Sequence, residues 1–183
     1  MDKLKANKLR KSSPNPSDLK KIKRNPIYFI LDEVIDTYNI GSLFRLADAV
    51  GVEKMYLCGN MEFPPSSRVH KAAVGTENWV PWEKRDSTLE VIKELKEKSL
   101  PAGRQGVQIL AVEQSKNSIS YKDLKPNFPV ALVLGNETRG ISEEILQKVD
   151  LSVELPMMGI NNSFNVWGTA AVVAYKLLEF LFI

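Results

Sequence analysis

Val130-Ala-Leu-Val-Leu-Gly135-Asn-Glu137-Thr-Arg-Gly140-Ile-Ser142 is the stretch that decides the fold. Val130 to Leu134 is an unbroken apolar run, too short for a buried helix and right for a strand covered on both faces. Gly135 interrupts it, a polar loop follows, and Ser142 can cap a helix running through Val149. A buried strand turning directly into a helix is the repeating unit of a parallel sheet, and the same unit recurs on either side. Ile27 to Leu31 is a second such strand, followed by Ile40 to Val50, where Ile40, Leu43, Phe44, Ala47 and Val50 fall at helical spacing and Gly51 supplies a stop. Met55 to Cys58 reads as a strand, Ser66 to Ala73 as a short helix and Trp79 to Trp82 as extended chain. Ser87 with Glu90 forms a capping box for a helix to about Ser99, and the loop 100–106 then turns the chain. Val107 to Val112 and Leu151 to Leu155 complete the strands, and the apolar stretch Trp167 to Ile183, interrupted by Lys176 and Glu179, reads as a packing helix too short for a bilayer. The expected fold class is α/β, a mostly parallel sheet with helices on both faces.

The 183 residues suffice for one domain with a core, residues 26–183, preceded by an extension at 1–25. Nine basic residues in the first 26, among them Arg10, Lys11, Lys20, Lys21 and Arg24, face only Asp2 and Asp18, a local net charge of +7 in a chain of net +3. The rest of the chain is therefore acidic, at −4. So basic a segment, with too few apolar groups to fold alone, is expected to be a flexible arm for a polyanion. Single copies of cysteine (Cys58) and histidine (His70) leave no disulfide and no His/Cys metal cluster. The charged start lacks the apolar core of a secretory signal, and a cytoplasmic location is the expectation.

In parallel sheets ligands bind beyond the carboxyl ends of the strands, and three loops there carry unusual residues. The first is Asn39-Ile-Gly-Ser-Leu-Phe-Arg45-Leu-Ala-Asp48-Ala-Val-Gly51. Arg45 lies about 140° from the centre of the apolar stripe and so faces away from the core, and Asn39 can cap the helix. The second is the opening stretch, without the Lys-Ser of a phosphate loop or the Gly-x-Gly-x-x-Gly of dinucleotide folds. The third is Leu155-Pro-Met157-Met-Gly159-Ile-Asn-Asn-Ser163-Phe164-Asn165-Val166, where Ser163 or Asn165 can cap the last helix.

Together and in this order the three segments resemble the motifs of the SpoU (TrmH-like) class of SPOUT RNA methyltransferases, over Ile27 to the end of the chain. The resemblance implies a C-terminal trefoil knot built from the second and third segments, a homodimer seamed by the last helix, and ribose 2′-O-methylation of tRNA or rRNA with S-adenosylmethionine as donor and no metal. It assigns donor binding to Leu134, Gly135, Gly140, Leu155, Met157, Ser163, Phe164 and Asn165. It assigns catalysis to Arg45, held by Asn39, Glu137, Ser163 and Asn165. His70, outside all three motifs, is the alternative base. Arg68 and Lys71 join the N-terminal cations as expected RNA contacts, with Trp79 and Trp82 as stacking faces or core. Trp167 departs from the family, which commonly has a small hydroxyl residue there, and could narrow the donor pocket, shift the seam or stack on a base. A catalytically silent RNA-binding module and a Rossmann-type nucleotide enzyme are the competing readings.

Overall fold

The computed structural model describes residues 3–98 and 106–182. Among the described residues seven strands make a single parallel sheet: β1 (Asn25–Asp32), β2 (Val52–Cys58), β3 (Trp82–Arg85), β4 (Gln108–Val112), β5 (Ile119–Ser120), β6 (Val130–Leu134) and β7 (Leu151–Glu154), in the spatial order β3-β2-β1-β6-β4-β7-β5. Two five-residue apolar runs, Ile27 to Leu31 and Val130 to Leu134, are neighbours at its centre, Ile27 beside Val130 and Leu31 beside Leu134. Strand side chains alternate, so β1 feeds two cores. Ile27, Phe29 and Leu31 pack with helices α3 (Thr37–Val50) and α7 (Val166–Glu179), while Tyr28 and Ile30 pack with α5 (Thr88–Glu97) and the short α6 (Glu143–Leu146) on the other face. The remaining helices are α1 (Ala6–Leu9), α2 (Pro16–Lys21) and α4 (Ser67–Ala73).

Several boundaries differ from the sequence reading, each for a local reason. Helix α3 starts at Thr37, capped by Asp36, whose side chain accepts from the Tyr38 amide. Asn39 is therefore a buried residue of the first turns and not a cap. Trp79 closes a 3₁₀ turn over Thr76–Asn78, and β3 begins only at Trp82. Helix α6 is a single turn, because the chain must reach β7 at Leu151. The two-residue β5 went unread because it offers no periodicity. The 100–106 loop, apart from Gly106, and the expected helix ends at Ser99 and Ile183 lie outside the described residues.

The N-terminal segment is not a bare arm. Asn15 caps α2 by accepting from the Asp18 amide, and the segment rests on the turn after α4. Ser12 Oγ accepts from the Trp79 indole N–H at 3.0 Å, and Leu9 lies so close to Gly75 that a Cβ there would stand 2.4 Å from the Leu9 carbonyl oxygen. Arg24 donates to the carbonyls of Val52 (3.1 Å) and Trp79 (2.6 Å), and the loss of water around its guanidinium lowers its pKa.

Candidate functional site

The carboxyl ends of β1, β6, β4 and β7 open on a cleft of about 890 Å³. Its walls are the loops after β6 (Gly135 to Ile141) and after β7 (Leu155, Met157 and Asn161 to Val166), closed by Ile35, Asp36 and Asn39 at the start of α3 and by Glu113 and Gln114 beyond β4. The second and third sequence segments thus face each other across one space.

Glu137 holds the walls together. Its carboxylate accepts from the amides of Ile35 (3.1 Å) and Asp36 (3.0 Å) and from Asn39 Nδ2 (2.9 Å). Partial burial pushes its pKa up, but these bonds outweigh it and hold the carboxyl below its ordinary value. Asn39 Oδ1 in turn accepts from Asn165 Nδ2 at 3.0 Å, and Asn165 Oδ1 caps α7 through the Trp167 amide. One hydrogen-bonded chain, Glu137 to Asn39 to Asn165, therefore ties all three sequence segments. Glu137 is a clamp rather than a free surface carboxylate.

Asn136 fixes the loop from inside. Its side chain donates to the Glu33 carbonyl (2.8 Å) and accepts from the amides of Thr138 (2.9 Å) and Arg139 (3.0 Å), while Arg139 pairs with Glu33 at 2.5 Å. Gly135 allows the loop to fold back on itself, for a Cβ there would lie 2.6 Å from Ile141 Cγ1 and 2.7 Å from the Gly140 carbonyl carbon. Glu113 accepts from the Ile141 amide at 3.0 Å. Sequence reading missed Asn136 and Glu113. The first carried a signal, as an Asx-turn residue directly after the strand-ending glycine; the second stands in no motif.

Of the expected donor-binding residues, Gly135, Gly140, Leu155, Met157, Ser163, Phe164 and Asn165 line the cleft. Leu134 does not: it is fully buried in the core, which leaves only its backbone to serve a ligand. Ser163 is exposed, its amide donating to Asn161 Oδ1. Arg45 stands apart from Asn39, Glu137, Ser163 and Asn165. Six residues beyond Asn39 it is about 9 Å further along α3 and about 120° round it, which places it exposed, outside the cleft and without a hydrogen bond or ion pair among the described residues. His70 is paired with Glu77 and also lies outside the cleft.

Among the expected RNA contacts Arg10, Lys11, Lys20, Lys21, Arg68 and Lys71 are exposed, whereas Arg24 is committed to its two carbonyls. Trp79 is buried and Trp82 packs edge-on against Phe44 with ring centroids 6.3 Å apart, so neither is a stacking platform. Trp167 does not line the cleft; it points outward from α7, which excludes it as a plug of the pocket. No group of three or more His, Cys, Asp and Glu side chains suited to a metal ion occurs among the described residues, and no helix there is long and apolar enough to cross a membrane.

Fold and site define an α/β protein with a parallel sheet and a ligand cleft built by two loops at the strands' carboxyl ends. The chain belongs to the SpoU rRNA Methylase family, whose model matches residues 26–175. It is 29% identical over 149 residues to the Escherichia coli tRNA (guanosine(18)-2'-O)-methyltransferase, covering 80% of this chain and 60% of that protein. The A. aeolicus TrmH/SpoU tRNA modifying enzyme superposes with a TM-score of 0.76 at 26% identity, over 95% of this chain and 81% of that one. The SpoU methyltransferase AviRb from Streptomyces viridochromogenes, solved with AdoMet, shares the fold with a TM-score of 0.77 at 20% identity, over 93% and 66%. The chain spans about three fifths of the length of the curated relatives it matches.

Proposed function

We propose that the protein is a cytoplasmic RNA ribose 2′-O-methyltransferase that takes its methyl group from S-adenosylmethionine and acts on tRNA or rRNA as a homodimer. The observation carrying this reading is the hydrogen-bonded chain from Glu137 through Asn39 to Asn165, which fixes all three family segments around one cleft.

The cleft suits the donor in size and chemistry. Its volume is within the usual range for small-molecule sites. Gly135 and Gly140 bring backbone close to the space, the half-exposed Phe164 ring gives a face for a purine, and Glu113 and the side-chain amides of Gln114 and Asn161 are polar partners at its edge. S-adenosylmethionine, when bound, supplies a methyl group made electrophilic by its sulfonium. The protein's task is to orient a ribose 2′-oxygen in line with that methyl and ease loss of its proton. Arg45 is the residue for it. Being outside the clamp in the free chain, it would be brought to the ribose by RNA, offering its guanidinium to a phosphate and to the charge growing on the oxygen. The 2′-proton leaves to solvent or to a base assembled with the substrate. The trefoil knot belongs to the same reading, with loops 135–142 and 155–165 as the crossing segments.

The experiment that tests the reading is titration calorimetry with S-adenosylmethionine, and with its demethylated product, in metal-free buffer. Saturable binding with either is expected, and heat from neither would sink it.

The dimer rests on α7. Trp167, Ala171, Tyr175, Leu178 and Phe182 form one apolar stripe beside the buried face of the helix, with Tyr175 at 54% and Phe182 at 72% exposure. A second copy of the chain is the proposed cover. The protein should sediment as a dimer at micromolar concentration, and Tyr175→Glu should yield monomers with little methylation activity. A monomeric unmodified protein would contradict this.

A further inference from the structure

Arg24 anchors the basic segment at the amino ends of β1 and β2, where Asn25 pairs with Val52. The cleft opens at the opposite end of the same strands, level with Leu31 and Leu134. Between Asn25 and Asp32 run seven residue steps of strand, about 23 Å at 3.3 Å per residue. Lys20, Lys21 and Lys23 immediately precede the anchor and are all exposed, and in α2 and its flank only Lys21 has an acidic partner, Asp18.

The anchoring is costly, which is why it is informative. A guanidinium gives up water for two carbonyls, a buried indole directs its N–H to Ser12, and the glycine at position 75 leaves room for the close passage of Leu9. A tail meant only to drift around the protein requires none of these contacts. They hold a strip of positive charge at a fixed distance from the cleft.

We propose that the docked segment, centred on Lys20, Lys21 and Lys23, is a second RNA contact about a strand's length from the donor cleft, and that the substrate is a folded RNA spanning both. This deepens the reading of the protein as an RNA methyltransferase and rests on it. A fixed remote contact selects by shape, because phosphates must occupy two places at a set separation, while the base at the cleft selects the nucleotide. Preorganisation also saves the ordering cost that a loose arm would incur on binding.

The test uses the full chain and a folded tRNA transcript as probe, with hydroxyl-radical footprinting and binding over a range of salt. The unmodified protein should protect two separate backbone tracts. Lys20→Gln, Lys21→Gln and Lys23→Gln together should erase one tract, leave the other, and flatten the slope of log affinity against log salt by roughly 2 to 3, at 0.7 to 0.9 per lost phosphate contact. These side chains are exposed, so folding is not at risk. A second variant, Ser12→Ala with Trp79→Phe, keeps every charge but loosens the dock, and should weaken the same tract while S-adenosylmethionine binding stays as before. A single protected tract, or an unchanged salt slope in the triple variant, would overturn the proposal. Unaltered protection in the loosened variant would leave the dock to Arg24 alone and overturn the part given to the Ser12–Trp79 contact. If the unmodified protein protects no RNA at all but binds the donor, the RNA reading itself falls and takes this one with it.

Discussion

Replacing Arg45 with alanine is expected to lower single-turnover methylation of the true RNA by at least 10² to 10³-fold, the usual cost of losing a positioned stabiliser of developing charge. Folding and donor binding should be nearly intact, because Arg45 is exposed on α3 and makes no hydrogen bond or ion pair among the described residues. The distance between Arg45 and the clamp sharpens the expectation. A side chain that reaches the ribose only with RNA present should show its loss in the chemical step and in RNA binding, and not in the heat of donor binding. Arg45→Lys keeps the charge and loses the planar fork, so near-complete rescue would identify simple electrostatics and failure would identify oriented hydrogen bonds. Methylation by Arg45→Ala at close to the normal rate would remove Arg45 from the mechanism. His70 would not inherit the role by default, since its ring is paired with Glu77 away from the cleft.

Glu137→Ala should weaken donor binding about tenfold to a hundredfold. The carboxylate satisfies two amides and the Asn39 side chain at once, and stranding such donors costs on the order of 1 to 3 kcal/mol. Glu137→Gln keeps one acceptor oxygen and should fall between. The same group sets an acid limit. Its folded pKa is depressed, so its contribution is fully present above the unfolded carboxyl value of about 4.3 and is lost as pH falls through the lower folded value. Donor affinity should therefore hold across the neutral range and decline only once the pH falls below the ordinary carboxylate range, while Glu137→Gln should lack that decline. Calorimetry across pH reads both, and identical profiles for the two proteins would show that Glu137 does not govern the loop.

The fold was legible because its central strands are continuous apolar runs. Ile27 to Leu31 and Val130 to Leu134 could hardly be anything but buried, and they lie side by side at the middle of the sheet. Motif residues named from the resemblance, Gly135, Gly140, Leu155, Met157, Ser163, Phe164 and Asn165, do converge on one cleft. What the chain's pattern could not express is partnership over distance. Asn39 looks like a helix cap to any local rule, since only the fold brings Glu137 and Asn165 to its two ends. Arg24 looks like one more cation of a basic arm until the fold sets two carbonyls against it, that of Val52 in β2 and that of Trp79. Charge counting is blind to such commitments. Leu134 shows the opposite error, a motif position whose side chain belongs wholly to the core.

The bonds of Asn39 join it to residues 98 and 126 positions later in the chain. On a ribosome adding 5 to 20 residues per second, Asn165 is made roughly 6 to 25 s after Asn39. A nascent chain that has completed all seven strands still lacks the last wall of its cleft, and its side-chain amide at position 39, bonded to Glu137, waits half satisfied for a partner not yet synthesised. The site is thus a late product of translation. Truncated chains released before α7 would lack the buried Ala170, Val173, Ala174 and Leu177 of the core together with the last wall of the cleft, and could not hold a donor.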